Sequence, residues 1–179
     1  MANREALRDL QTRLASRLQA AREEGVAVSW LAVKAGGVPY IFPLAQSGEI
    51  FPLASVQPVP YVQPWFLGVI NLRGGLHGLV DLAGLVADAA STPRAERPER
   101  TVSDARVITL NAALEVNCAL LVDSLAGLRN LTSFKGSVAP DSGAPVFFGN
   151  RYTDLKGDVW QEIDLRSLSQ FQGFLNINA

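Results

Sequence analysis

The sequence has only one cysteine and one histidine among its 179 residues. Cys118 therefore has no partner for a disulfide within the chain, and with His77 it supplies too few ligands for a structural zinc ion of the usual type. A single cysteine favours a reducing compartment. The first residues carry Arg4, Glu5 and Arg8 instead of an apolar signal segment, so the predicted location is the cytoplasm.

An excess of charge of either sign is also missing, since 16 basic and 17 acidic side chains leave a formal net charge of -1. This balance provides no field to hold a phosphate backbone or an anionic membrane, and nucleic-acid binding is disfavoured. No run approaches the roughly 18 consecutive apolar residues of a membrane span, so no membrane insertion is predicted. With 48% hydrophobic residues, the chain can nevertheless bury the core of one globular domain.

Motifs for catalysis are absent as well. His77 and Asp81 lie four residues apart on a predicted strand and could share a face, but Ser124 and Cys118 lack the surroundings of an activated nucleophile. The glycine-rich stretches fit neither a phosphate-binding loop nor a dinucleotide fingerprint. The sequence therefore favours a protein that is not an enzyme and needs no cofactor.

Residues 1–25 predict an N-terminal amphipathic helix. Asn3 is a suitable N-cap, Gly25 a suitable stop, and charged residues of both signs fill the remaining faces. One face carries leucines at steps of three and four residues, namely Leu7, Leu10, Leu14 and Leu18. Two alternatives stay open for this face, which either packs on its own domain or docks on a partner.

The remainder, residues 26–179, predicts an all-β body made of small barrels. Short β-branched or aromatic runs separated by glycine and proline indicate strands at 26–33, 38–42, 48–51, 105–110, 115–125, 145–152 and 159–165. Gly36 and Gly37 mark a hairpin turn, and the proline-rich residues 53–63 predict an edge segment. Residues 87–104 predict a long mobile loop that divides two similar halves. Short helices are predicted at 124–131 and 166–171.

The most informative segment is WFLGVINLRGG at 65–75, continued by LHGLVDL at 76–82. An apolar strand ends at Arg73, turns at Gly74-Gly75 and restarts as a second strand. This block resembles the GVINLRG signature of CheW-like domains, the adaptors that join bacterial chemoreceptors to a histidine kinase. The resemblance spans residues 29–168 as a whole. Outside the GVINLRG block it is weaker and is carried by residues 48–50, 121–125 and 163–165.

The resemblance implies a fold, a function and partners. The implied fold is two SH3-like, five-stranded β-subdomains that share a hydrophobic seam. The implied function is a non-catalytic adaptor that couples the cytoplasmic tip of methyl-accepting chemoreceptors to a CheA-like kinase. The N-terminal extension and the divergent second half are more similar to adaptors of type IV pilus twitching systems than to the flagellar adaptor. The alternative is a stand-alone β-barrel that binds a small ligand in a pocket lined by aromatic side chains.

The predicted partner-binding residues follow the family block and are Glu49, Ile50, Gly68, Arg73 and Gly74. Arg73 could present its guanidinium to a partner, or it could form an internal salt bridge with Asp81 or Glu49. Glu49 is predicted to point outward and Ile50 inward, because neighbouring residues of a strand face opposite ways.

Two further predictions concern buried groups. Asp123 is predicted to cap the helical turn that follows it. The large aromatic side chains are predicted to lie mainly in the core, and an exposed one would mark an interface. The side chains predicted in the core are Trp30, Trp65, Phe66 and Trp160. For Phe147 and Phe148 the sequence does not decide between core and surface.

Overall fold

A computed structural model describes residues 29–94 and 103–179 of the protein. Within these residues the fold is mostly β, with two six-stranded sheets. The helix predicted at 1–25 lies outside the described residues, as do residues 95–102 of the predicted mobile loop. None of the described helices has the length and apolar character needed to cross a membrane.

Sheet one combines the first two described strands with the last four, in the order β10-β11-β12-β2-β1-β9. Its strands are β1 (Ser29–Ala35), β2 (Val38–Pro43), β9 (Ser124–Asn130), β10 (Phe134–Val138), β11 (Phe148–Asp154) and β12 (Val159–Ile163). The predicted turn between β1 and β2 is confirmed, since Gly36 and Gly37 have φ of 58° and 76°. Trp30 and Ala32 of β1 face a core inside sheet one, while Leu31 and Val33 face the opposite side.

Sheet two is built from the middle of the chain, in the order β3-β7-β8-β6-β5-β4. Its strands are β3 (Ser47–Pro52), β4 (Val56–Gln57), β5 (Phe66–Leu72), β6 (Gly75–Asp81), β7 (Arg106–Leu110) and β8 (Cys118–Val122). The edge position predicted for residues 53–63 is confirmed, because β4 pairs only with β5. Prolines at 58, 60 and 64 supply no N–H groups that could extend this short ladder.

A hydrophobic seam joins the two sheets. Leu31 and Val33 of sheet one lie in the same buried cluster as Val80 and Leu120 of sheet two. Within residues 29–94 and 103–179, the helices are α1 (Leu82–Ala89), α2 (Leu165–Gln170) and α3 (Gln172–Leu175). The prediction of a helix at 166–171 is confirmed within one residue. Single 3₁₀ turns lie at Leu44–Gln46, Ala112–Leu114 and Leu131–Ser133.

Three sequence-based expectations need correction. The described sheets have six strands each where the resemblance implied five, and their edge strands are β10 and β9 in sheet one and β3 and β4 in sheet two. Residues 124–131, predicted as a helix, form β9 and the start of the next turn. The loop at 87–104 does not divide two halves, since α1 covers its first residues and the strands on either side, β6 and β7, belong to the same sheet.

Candidate partner-binding surfaces

Arg73 and Gly74 form the tip of the hairpin between β5 and β6. Leu72 pairs with Gly75, which leaves a two-residue turn, and both turn residues have positive φ, 50° at Arg73 and 83° at Gly74. Two positive values define a type I′ turn, whose twist matches that of the flanking strands. The Asn71 carboxamide oxygen accepts a 2.9 Å hydrogen bond from the Gly74 N–H. The turn therefore fixes the position from which the Arg73 side chain departs.

The Arg73 side chain reaches across to β3. Its Nη1 lies 2.8 Å from Glu49 Oε2, and its guanidinium carbon lies 5.6 Å from the centre of the Phe51 ring. The two charged side chains nevertheless remain 74% and 56% exposed. One of the two predicted internal ion pairs is thus present, while the remaining N–H donors of the guanidinium stay at the surface. Asp81, the other predicted partner, is buried and pairs with Arg94.

Ile50 does not point inward as predicted, because it is 42% exposed. The pairing of β3 with β7 shifts register between Ser47 and Ile50, so the expected alternation of faces fails there. Phe51 takes the inward position and packs on the core of sheet two. Glu49 and Ile50 are consequently both at the surface beside Arg73, and we refer to Glu49, Ile50, Arg73 and Gly74 as the Arg73 surface.

Gly68, the fifth predicted residue, is explained by packing. Its φ is 135°, and a Cβ atom there would lie 2.2 Å from the carbonyl oxygen of Gln57 in β4. Only glycine allows the two backbones this approach. Gly68 therefore holds the edge strand in place.

A second exposed surface lies on β9 and was not predicted. Leu128 is 63% exposed and Leu125 is 39% exposed. They pair with Leu31 and Val33, both buried in the seam between the sheets, and paired residues of neighbouring strands share a face. The apolar side of the seam thus continues past the edge of sheet one into solvent. We call Leu125 and Leu128 the leucine strip.

Asp123 positions this strip, although not as the predicted helix cap. It lies between β8 of sheet two and β9 of sheet one and is buried. Its carboxylate accepts a 2.7 Å hydrogen bond from the Gly36 N–H, and its own N–H donates to the Lys34 carbonyl at 2.8 Å. Asp123 therefore ties the crossover between the sheets to the β1–β2 turn.

An apolar groove of about 430 Å³ opens at the other end of β8. Cys118, Leu76 and Val69 line it, and Phe174 and Leu175 near the C-terminus form a wall. Burial raises the pKa of the Cys118 thiol to about 11. At neutral pH the thiol is therefore protonated and is a poor nucleophile.

His77 and Asp81 do not form a pair that could act in acid–base chemistry. His77 Nδ1 lies 3.2 Å from the Gly75 carbonyl, whereas Asp81 is buried beside Arg94. Across residues 29–94 and 103–179, no group of three or more histidine, cysteine or acidic side chains could hold a metal ion.

The large aromatic side chains lie in the core as predicted, with Trp30, Trp65 and Trp160 at most 4% exposed. The Trp30 indole donates to Glu162 at 2.8 Å and the Trp160 indole to Asp154 at 3.0 Å. This last bond, with backbone N–H groups that also donate to the carboxylate, lowers the pKa of Asp154. The sequence did not decide whether Phe147 and Phe148 lie in the core or at the surface. Phe147 is fully buried.

Comparison with known proteins supports a single family. The CheW-like domain family matches residues 29–172. Protein PilI from Pseudomonas aeruginosa strain PAO1 is 28% identical over 169 residues, which cover 92% of this chain and 88% of that protein.

The crystal structure of the scaffolding protein TtCheW from Thermoanaerobacter tengcongensis has the same fold. It superposes with a TM-score of 0.62 at 17% identity, over 82% of this chain and 95% of that one. Because the family match spans most of the chain and includes the GVINLRG segment, the protein belongs to the CheW-like domain family and is a non-catalytic scaffold.

Proposed function

We propose that this scaffold couples methyl-accepting chemoreceptors to a CheA-like histidine kinase in the cytoplasm, within the chemosensory system of a type IV pilus. The similarity to Protein PilI over nearly the full length of both chains supports the pilus system. The observation that carries the coupling role is the presence of two separate exposed surfaces with different chemistry. An adaptor needs two such surfaces in order to hold two partners at once.

The leucine strip suits a helical partner. An amphipathic helix binds by laying its apolar face against an exposed apolar row, and Leu125 and Leu128 provide such a row. The strip continues a buried seam, so a docked helix would extend an existing core. We assign this surface to the helical tip of the receptor.

The Arg73 surface suits a folded β domain. Arg73 offers free N–H donors to carboxylates or main-chain carbonyls, and Ile50 adds an exposed apolar contact beside them. The exposed β3 edge also presents backbone groups for pairing. We assign this surface to the regulatory domain of the kinase, which the family resemblance describes as homologous to the adaptor, and Glu49, Ile50, Arg73 and Gly74 are the proposed contact residues.

The alternative of a small-ligand barrel has less support. The three tryptophans, which would have lined its pocket, are buried in the cores. The groove beside Cys118 is open to solvent, and two aromatic side chains, Phe66 and Phe174, contribute to its apolar lining. Its polar side chains are His77 and Asn117 beside the Cys118 thiol, and His77 already contacts the Gly75 carbonyl, so few polar groups are left to orient a small ligand.

Reconstitution with purified partners tests the proposal. The protein is mixed with a receptor signalling domain and with the regulatory domain of a CheA-like kinase from the same organism, and complexes are separated by co-sedimentation and size-exclusion chromatography. We expect a binary complex with each partner and a ternary complex with both. Binding of neither partner, or mutually exclusive binding of the two, would contradict a coupling role.

A further inference from the structure

We propose that a pocket at one end of the core of sheet one binds an acidic peptide segment of a partner protein. The pocket has a volume of about 440 Å³ and lies between β1, β9 and the β11–β12 turn. Its cationic side chains are Lys34, Arg129 and Lys156, and we refer to the site as the cation pocket. It is separate from the Arg73 surface and from the leucine strip, and peptide binding there requires neither the receptor nor the kinase.

The pairing of β1 with β9 brings Lys34 and Arg129 to the same side of sheet one. Trp30 and Ala32 of β1 lie in the core of this sheet, and Lys34 continues their alternating row toward the end of the strand. Arg129 pairs with Trp30 and therefore shares its face. Both cationic side chains thus lie at the end of the apolar core, on the face of β9 opposite the leucine strip.

Arg129 is held by the tryptophan beneath it. Its guanidinium carbon lies 5.3 Å from the centre of the Trp160 ring, and the arginine is half-buried. This cation–π contact restricts the orientation of the guanidinium plane. One of its nitrogens, Nη1, donates to the Leu128 carbonyl at 3.2 Å. The remaining N–H donors can therefore bind a carboxylate in bidentate geometry.

The buried Asp154 shapes the turn that carries the third cation. Its Oδ1 accepts 2.9 Å hydrogen bonds from the backbone N–H groups of Lys156 and Asp158. Its Oδ2 accepts a 3.0 Å bond from the Trp160 indole. Because these bonds engage both oxygens, Asp154 fixes the backbone from which the Lys156 side chain departs.

The charges that line the pocket do not balance. Its three cations form no ion pair with any carboxylate in residues 29–94 and 103–179. Of the two carboxylates in the lining, Asp154 is engaged within the turn, and Asp158 is exposed. Three positive and two negative side chains leave one positive charge in the pocket, although the whole chain has a formal net charge of -1. The pocket is therefore complementary to a ligand that carries carboxylates.

The size and lining of the pocket favour a peptide over a small anion or a nucleotide. A volume of about 440 Å³ is in the range of pockets that enclose drug-sized ligands and is much larger than one phosphate ion needs. Trp160 is 4% exposed and lies under Arg129, so it offers no open face for a base to stack on. Leu155 in the lining is 70% exposed and adds an apolar contact. These features suit a short segment that combines acidic and apolar side chains.

Fluorescence polarisation with the full chain tests the proposal. The probe is a fluorescein-labelled hexapeptide, Glu-Glu-Leu-Glu-Glu-Leu, and the matched control peptide replaces each glutamate with glutamine. At about 0.05 M salt, where screening is weak, we expect the acidic peptide to bind at least about tenfold more tightly than the control. Equal binding of the two peptides, or no binding of the acidic peptide at about 1 mM, would overturn the proposal.

A pair of double variants locates the binding. Lys34→Gln with Lys156→Gln removes two of the three cations and should weaken binding of the acidic peptide at least about tenfold. Arg106→Gln with Arg166→Gln removes the same charge from β7 and α2, outside the pocket, and should change binding less than about twofold. Circular dichroism checks that all variants are folded. Equal loss in the two double variants would show that net charge, not the pocket, attracts the peptide.

A gain of affinity provides a second test that loss of folding cannot imitate. Asp158→Asn removes the exposed carboxylate from the lining and keeps the backbone N–H that bonds to Asp154, so binding of the acidic peptide should strengthen several-fold. Asp88→Asn removes an equal charge from the surface of α1 and should leave binding unchanged. Equal binding by the two variants would contradict the proposed site.

Competition with inorganic phosphate distinguishes the peptide from a small anion. At constant ionic strength, phosphate at about 1 mM should displace little of the acidic peptide, because one small anion cannot replace several carboxylates and an apolar contact. Complete displacement at that concentration would show that the pocket is a small-anion site, and the assignment to an acidic peptide would be wrong.

Discussion

The Arg73 surface and the leucine strip arise in different ways. The Arg73 surface combines the two-residue turn of a contiguous block, residues 68–74, with Glu49 and Ile50 of β3. The leucine strip depends on how β9 pairs with β1, whose paired residues are 90 to 101 positions away in the chain. The part of a surface that a local turn makes can be recognised as a motif, whereas an apolar surface made by long-range pairing cannot. If the assignment is right, the two surfaces bind different partners. Apolar contacts should hold the receptor on the leucine strip, and charged contacts should hold the kinase on the Arg73 surface.

The largest effect is expected for Leu128→Asp. A carboxylate at the centre of an apolar contact would be desolvated without a partner, so receptor binding should weaken by about a hundredfold or more. Leu128 is 63% exposed, and thermal unfolding should therefore change little. Titration calorimetry with the receptor domain measures the affinity, and kinase binding should be unaffected.

Leu155→Asp is the matched control for this variant. Leu155 is similarly exposed but lies in the β11–β12 turn, where it lines a pocket with Ala126 and Arg129 on the face of β9 opposite the strip. Both variants add one negative charge. Equal loss of receptor binding in the two proteins would show that net charge, not the strip, determines binding.

The difference between the surfaces also explains which parts of the fold the sequence could predict. Most strands, the first hairpin and the edge segment were recognisable from local patterns. β9 was not, because Leu125 and Leu128 are three residues apart, which is a helical spacing. A β-bulge explains how residues at this spacing share one face of a strand. Ala126 and Gly127 together oppose Ala32, and Gly127 has a φ of 91°. The extra residue brings both leucines to one face of a strand.

The wrong prediction that Ile50 points inward has a similar cause. Alternation along β3 predicted Glu49 outward and Ile50 inward, but the register shift leaves both exposed and buries part of Phe51. A shift of this kind depends on the partner strand β7, including the bonds between Thr109 and the Glu49 backbone. Patterns within β3 therefore could not reveal it.

A smaller effect is expected for Arg73→Glu, which replaces an ion pair with two carboxylates. The lost donors and the added repulsion should weaken kinase binding by about 2 kcal/mol, or about thirtyfold. Stability should fall by no more than about 1 kcal/mol, because the Arg73–Glu49 pair is exposed. Pull-down with the kinase domain and urea denaturation measure the two quantities.

The charge-swapped double variant, Arg73→Glu with Glu49→Arg, sharpens this test. It restores the internal ion pair but moves the guanidinium to β3. Recovery of stability without recovery of kinase binding would place the Arg73 guanidinium in the interface. Unchanged kinase binding by a folded Arg73→Glu protein would remove Arg73 from it.

Ionic strength should change binding at the two surfaces to different extents, with a smaller effect than the substitutions above. Raising salt from about 0.05 to 0.5 M shortens the screening length from roughly 14 to 4 Å, which weakens contacts between exposed charges. Kinase binding through the Arg73 surface should therefore weaken several-fold, while receptor binding through the leucine strip should stay constant or strengthen. The same titrations at several salt concentrations provide the comparison, and identical salt dependence of both partners would contradict the assignment.

The smallest effect concerns the backbone of the Arg73 turn. Arg73 has a φ of 50°, a region that costs a residue with a Cβ atom about 1 kcal/mol or more. Arg73→Ala and Arg73→Gly both remove the ion pair and the contact with Phe51, but only glycine also relieves this backbone cost. The glycine variant should therefore be more stable than the alanine variant by about 0.5–1 kcal/mol, after allowance for the greater freedom of glycine in the unfolded chain. Urea denaturation measures this difference, and both variants should lose kinase affinity equally, because neither retains the guanidinium. A less stable glycine variant would show that the type I′ turn is not maintained in solution, and the Arg73 surface would then need a different structural explanation.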